Sequence, residues 1–320
     1  MGIGIGAVHC LAPEKRVRIA DLPACAGLEA EALASLQACG VRTVAIHPDT
    51  DACELAIRAC RELLADHPHE PDFLIHIESR ASERLAGSDA CRVQAGAGLT
   101  SAVPFTVGGL ACVGPSAAWA LAHDLLLADP ARRSILLAFG TRPAEDKRIR
   151  YPASVLGDGA FAMTIVREGR PALKASRMSA DGSFNDRVHV DYVKAPWHEW
   201  GAERAVRERL GFDLAMESRT RLAQLVDETL TDAGLTRDDV AAAVLQNLPA
   251  DASPFFEQAL GLPIHPICAE QLAERGNLGP MGAVLSLDRL LTTAGLRSGD
   301  HVLILSRSRG AAWAVTLWEA

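Results

Sequence analysis

CVGPSAAWALAHDLLLADPARRSILLAF (112–139) and NLGPMGAVLSLDRLLTTAGLRSGDHVLIL (277–305) decide the fold once they are laid side by side. Each opens with two variable residues and Gly-Pro, runs into a helix that closes on a Leu-Leu pair, and turns into an apolar strand. Proline suits a first helical turn, because the amide it lacks would have no partner there. From Ser116 to Ala128 the chain then offers good helix formers and few breakers. The two segments start 165 residues apart, about half the chain. Upstream of each, a helix (Ala52–Ala65 and Ala215–Ala233) leads into a strand (Phe73–Glu78 and Val240–Gln246). A recurrence at that spacing predicts an internal duplication of two α/β halves, and it sets Cys112 and Asn277 at equivalent helix starts.

Further strands are expected over Ser134–Phe139, Ala160–Val166 and Val302–Leu305, and a further helix over Gly282–Thr293. The pattern blurs at Arg148–Asp158 and Asn185–Arg204, which reads as loops or a small insertion. No Pro-, Gly- or Ser-rich linker divides the chain, so halves 1–167 and 168–320 should share one packed core. At 320 residues, 49% hydrophobic and 22% charged, the composition is that of an ordinary soluble enzyme. A net charge of −8 gives no electrostatic reason for nucleic-acid binding. No apolar run reads as reaching membrane-spanning length, and MGIGIGAVHC has no basic leader, so the expected location is the cytoplasm. Gly6 stands where an N-myristoylation motif needs Ser or Thr. Gly2, Gly4 and Gly6 lack the third glycine of a dinucleotide fingerprint, because His9 stands in its place; they read as part of a buried first strand. Eight cysteines without a CxxC pair suggest neither a metal site nor a disulfide framework.

Cys112 admits two readings. Cysteine is often just a small buried apolar residue. Against that, Phe105-Thr106-Val107 reads as a strand end, Gly108-Gly109 loosens the backbone, and Cys112 stands three residues before Pro115. A thiol so placed sits near the positive end of a helix dipole, which favours thiolate and hence nucleophilic chemistry.

Over nearly its whole length the chain resembles the thiolase-fold condensing enzymes, most closely β-ketoacyl-acyl-carrier-protein synthase III. The segments that carry the resemblance are GVRTVAI (40–46), SDACRVQ (88–94), the Cys112 segment, LGDGAFAMTI (156–165), SADGSF (179–184), VDETLTDAGL (226–235) and RGNLGPMGAVLSL (275–287). The segment before Cys112 is one residue longer than the familiar pattern. The resemblance implies a duplicated five-layer αβαβα fold, a homodimer, an acyl thioester on Cys112 and no permanently bound cofactor. The acyl donor would be an acyl-carrier-protein or CoA thioester.

The departures matter as much. The family's triad is Cys-His-Asn, and here the histidine position falls on Gln246 while Asn277 keeps the asparagine. Gln246 can donate or accept a hydrogen bond but cannot take a proton, and a lost acid/base group typically costs about 10²–10⁴ in rate. The glycine turn that lends an oxyanion-hole N–H reads SRSRGAAW, so the donor falls to the Arg309 backbone beside that of Cys112. Of the family's adenine-stacking pair, Arg150 remains and the tryptophan becomes Ala34; two further cofactor-facing arginines become Ala38 and Asp251, and the partner-borne aromatic gate aligns near Ala86. His198 and His265 are the remaining candidates for a base, and His123 sits too far along its helix. Together these features predict an acyltransferase that acylates Cys112 and passes the acyl group to a second substrate in specialised metabolism. Cys112 should be alkylated ahead of the other seven cysteines. The alternatives are a decarboxylating synthase III proper and a non-catalytic partner subunit of a ketosynthase-like heterodimer.

Overall fold

A computed structural model describes residues 2–13, 15–48, 50–78, 87–145, 148–150, 154–187, 207–249, 252–293, 295–310 and 312–320. In chain order the first part comprises β1 (Gly4–Leu11), β2 (Arg16–Arg18), α1 (Ala30–Ala38), β3 (Thr43–Ala45), α2 (Ala52–Asp66), β4 (Phe73–Ile77), α3 (Asp89–Gly96), β5 (Val103–Val107), α4 (Gly114–Ala128), β6 (Ser134–Thr141), β7 (Ile149–Arg150), β8 (Ser154–Val155) and β9 (Gly159–Val166). The second comprises β10 (Ala172–Ala180), α5 (Arg207–Ala233), β11 (Val240–Leu245), α6 (Ser253–Leu260), α7 (Ile267–Arg275), α8 (Met281–Thr293), β12 (His301–Arg307) and β13 (Ala312–Glu319).

Strand order displays the duplication. The main sheet runs β11-β12-β13-β10-β1-β9-β6-β4-β5. From one edge inward, β4 lies parallel to β5 and β6, and β9 then runs antiparallel to both β6 and β1. From the other edge, β11 is parallel to β12, and β13 is antiparallel to both β12 and β10. Ile264, bridging in parallel to Ala243 of β11, marks the place that β5 holds in the first half. The halves meet where Gly4 of β1 pairs with Ala172 of β10.

The layers follow from which faces are apolar. β4, β6, β9, β12 and β13 read as nearly unbroken apolar runs because both their faces are covered. α2 and α3 cover one outer face and α5 the other, while α4 and α8 fill the middle and touch each other. Trp119 of α4 shows how the middle layer joins the halves. Its indole meets Trp318 of β13 edge-on at 5.3 Å, and its Nε1 donates to Met163 Sδ of β9 at 3.1 Å.

The predicted strands and helices are present to within a few residues, with α5 longer at its N-terminus than the sequence pattern suggests. Within Arg148–Asp158, read as loops or a small insertion, β7 and β8 pair antiparallel. One expectation needs correction. Ala111–Ala128 does have the length and composition of a membrane-crossing helix. In the fold these residues form a 3-10 turn and α4, whose buried side packs against strands of both halves while Leu121 and Leu127 are exposed.

Candidate active site

Beyond β5 the chain crosses Gly108–Leu110 and enters a 3-10 turn at Ala111–Val113, which leads directly into α4. Gly109 (φ 79°) and Ala111 (φ 46°) are both left-handed. Glycine adopts that backbone freely, whereas alanine pays about 1–2 kcal/mol. The strained residue lies immediately before Cys112, which is half-buried at the helix start. Pro115 occupies the first turn of α4, as its sequence position suggests. A side chain at Gly114 would meet Ile77 Cγ2 at 2.6 Å, so the turn is pressed against the end of β4.

β11 delivers Gln246 just beyond its last residue, 3% exposed. Its Nε2 donates to the Cys112 carbonyl at 2.7 Å. A carbonyl only accepts, so the amide's orientation is fixed by chemistry. Gln246 Oε1 is buried and meets no donor among the described residues. One end of the Gln246 side chain is thus committed to the cysteine's own peptide.

Asn247 (φ 53°) follows in left-handed backbone, and its Nδ2 donates to the Gly279 carbonyl at 2.9 Å. Gly279 N–H in turn donates to Asn277 Oδ1 at 2.8 Å, and Asn277 Nδ2 donates to Ser154 Oγ at 2.9 Å. A continuous set of hydrogen bonds and adjacent residues therefore connects Cys112, Gln246, Asn247, Gly279 and Asn277. The Asn277 backbone is clamped as well: its N–H donates to Val155 O at 2.8 Å and its carbonyl accepts from Gly157 N–H at 3.1 Å. Gly157 must be glycine, since a side-chain carbon there would run into the Arg275 carbonyl.

Behind this clamp lies a fully buried ion pair. Arg148 Nη1 and Nη2 reach Asp158 Oδ1 and Oδ2 at 2.6 and 3.1 Å, with both side chains 0% exposed. Arg148 Nε and Nη2 also donate to Glu145, and Asp158 Oδ2 accepts the His47 N–H at 2.8 Å. Burial alone would push the Arg148 guanidinium down, but the bonds to Glu145 and Asp158 outweigh it and hold the group above the ordinary arginine range.

The Ser308–Gly310 turn lies against the cysteine loop. A side-chain carbon at Gly310 would sit 3.9 Å from the Gly109 carbonyl, and Ala312 and Ala314 pack with Leu110 and Val113. The turn that carries Arg309 is therefore beside the loop that carries Cys112. Arg150 lies in β7 opposite Ser154, and Ala34 and Ala38 are exposed on α1. Asp251, Ala86 and His198 lie outside the described residues. His265 Nδ1 accepts the Ile267 N–H at 3.2 Å at the start of α7. His123 pairs with its neighbour Asp124 on α4. Among the described residues no group of three His, Cys, Asp or Glu could hold a metal ion.

Sequence reasoning missed Ser154, the Arg148–Asp158 pair and Arg307. An acid inside LGDG was a signal for Asp158. Arg307 gave none, because an arginine closing an apolar strand looks like an ordinary exposed end.

Residues 230–320 match the family model described as 3-oxoacyl-[acyl-carrier-protein] synthase III C terminal. A β-ketoacyl-[acyl-carrier-protein] synthase III of Methylococcus capsulatus is 26% identical over 267 residues, covering 82% of this chain and 81% of that protein. Among solved structures, ChlB3, titled an acyltransferase, superposes with a TM-score of 0.85 at 22% identity, covering 100% of this chain and 98% of that one. The 3-oxoacyl-(acyl carrier protein) synthase III of Pseudomonas aeruginosa superposes with a TM-score of 0.80 at 21% identity over the same shares.

Proposed function

We propose that this chain, a ketosynthase III-like protein of the thiolase fold, is an acyltransferase whose Cys112 takes an acyl group from a thioester and hands it to a second substrate. The observation that carries the reading is Cys112 itself, half-buried behind a strained residue at a helix start, with its peptide held by a buried amide. In the first step Cys112 Sγ attacks the thioester carbonyl, the new C–S bond forms, and the donor thiolate leaves and takes up a proton. The oxyanion is held by the N–H groups of Cys112 and Arg309. In the second step an O–H or N–H nucleophile attacks the acyl-enzyme, the C–S bond breaks, and the nucleophile's proton ends on the Cys112 thiolate. Gln246 takes no part in proton transfer; with Asn277 it keeps the site rigid.

Ala34 and Ala38, exposed on α1, offer no ring or charge to a CoA nucleotide. Lost base stacking is worth roughly 1–3 kcal/mol, so a carrier-protein thioester should acylate Cys112 with the higher kcat/KM. The reading includes a homodimer in the cytoplasm, with a carrier protein as transient partner. Intact-mass spectrometry after incubation with matched acyl-carrier-protein and acyl-CoA thioesters tests it. The expected result is one acyl adduct on Cys112, favoured by the carrier protein; no adduct from any donor would support the non-catalytic subunit. That second reading is favoured by one observation, glutamine in the triad histidine's place.

Gln246→His addresses the missing base. Restoring an imidazole beside Cys112 is expected to raise carbon dioxide release from malonyl thioesters from background by up to about 10²-fold. Rapid decarboxylation by the unaltered protein would contradict the assignment of Gln246.

A further inference from the structure

β12 lies parallel to β11, with Leu305 beside Leu245, so Gln246 and Arg307 leave neighbouring strands almost level with each other. There β12 packs against the 3-10 turn that carries Cys112. Arg307 is half-buried, and its guanidinium carbon stands 5.3 Å above the ring of Phe256, itself 1% exposed. Stacking on a buried ring fixes where the charge sits. Among the described residues, however, Arg307 forms no ion pair or hydrogen bond with any carboxylate. A cation taken partly out of water is costly unless an anion meets it.

Two groups act on the Arg307 charge: the Cys112 sulfur, which favours it, and Arg309, which opposes it. Burial is the larger influence and sets the net direction, pushing the guanidinium below the ordinary arginine range. Coulomb attraction is mutual, so an anion on Cys112 that favours the Arg307 cation is favoured by it in turn.

We propose that Arg307 is the counter-charge of the Cys112 thiolate, a positioning residue that supplies the positive charge the absent imidazole would have given. The inference rests on the reading of Cys112 as the acylated nucleophile. The groups around the loop that carries Cys112 divide by sign. Arg307 and Arg309 from the β12–β13 side favour the thiolate, as does the start of α4, which has no acid in its first turn. Gln246 and Asn277 are neutral. Glu78, at the end of β4 with Oε2 3.2 Å from where a Gly108 side-chain carbon would be, opposes it.

The test is the pH dependence of iodoacetamide alkylation, resolved by peptide mass spectrometry, with the exposed Cys91 as internal reference. In Arg307→Gln the Cys112 profile should move up by about one pH unit, so labelling at pH 7 slows about ten-fold. Arg307→Lys should recover most of the rate, and Cys91 should not change. Should Arg307→Gln fold poorly, Arg307→Met, which keeps a side chain over Phe256, carries the same expectation. An unchanged Cys112 profile in a folded variant overturns the proposal even if acyl transfer falls, because Arg307 would then serve the substrate. If Cys112 in the unaltered protein is no faster than Cys91 at any pH, the nucleophile reading itself fails.

Discussion

Cys112→Ala is expected to abolish acyl uptake completely while leaving the fold intact. The side chain is small and half-buried, so trimming it should cost roughly 1 kcal/mol or less. Six of the other seven thiols are poor substitutes. Cys25, Cys39, Cys53, Cys60 and Cys268 are buried, and Cys10 is half-buried. Burial raises the thiols of Cys10 and Cys25, pushes Cys60 up to about 12 and Cys268 up to about 11. At neutral pH such groups hold almost no thiolate, and the thiolate is the nucleophile. Cys91 is different, because it is exposed in the first turn of α3. Iodoacetamide should therefore mark Cys112 and, more slowly, Cys91, whereas an acyl group should appear on Cys112 alone. Intact mass after incubation with an acyl thioester measures this directly. An adduct that persists in Cys112→Ala would move the chemistry to another residue.

The second large effect is on stability. Asp158→Ala should lower the unfolding free energy by about 3–5 kcal/mol, the usual result of stranding one member of a buried pair. Arg148 would be left fully buried with only Glu145, whose side chain is 46% exposed, as counter-charge, and the His47 N–H would lose its acceptor. Arg148 also anchors the site, since its carbonyl accepts the Leu156 N–H and Leu156 bridges to Asn277. A urea titration of Asp158→Ala beside Arg148→Met with Asp158→Leu separates pairing from packing. The double change removes both charges and should be clearly more stable than the single one. A loss below 1 kcal/mol in Asp158→Ala would show that the pair contributes little.

Much of the fold was legible because its signals are local and repeated. Gly-Pro at 114–115 and 279–280 announces two helix starts, and the apolar runs of β4, β6, β9, β11 and β12 stand out against their turns. Cys112, Gln246 and Asn277 could be picked out by aligned position, yet what each side chain bonds to could not. Gln246 turns to the Cys112 carbonyl and Asn277 to Ser154 because of how distant segments meet, and no spacing encodes those distances. Arg148 and Arg307 looked like surface charges, since charged side chains usually are. One is sealed behind the Asn277 clamp and the other is stacked on Phe256. The span-length apolarity of Ala111–Ala128 was passed over in the sequence; much of it serves the core, where Ala118, Trp119, Ala122 and Leu126 are buried.

The strand pairings also set the order in which a growing chain can complete its parts. Gly4 of β1 pairs with Val166 of β9, and Ala172 of β10 with Glu319 of β13. On the ribosome the first half can close its sheet once β9 has emerged, but β10 must wait for β13 at the far end of the second half. Until then α4, whose Trp119 needs Trp318, presents an apolar flank with no cover. Such long-range pairing folds slowly and leaves sticky surface exposed on the way. A chain extended only as far as β9 would hold Cys112 and its helix but not Gln246, Asn277 or Arg307, so the proposed site is complete only once the second half has folded.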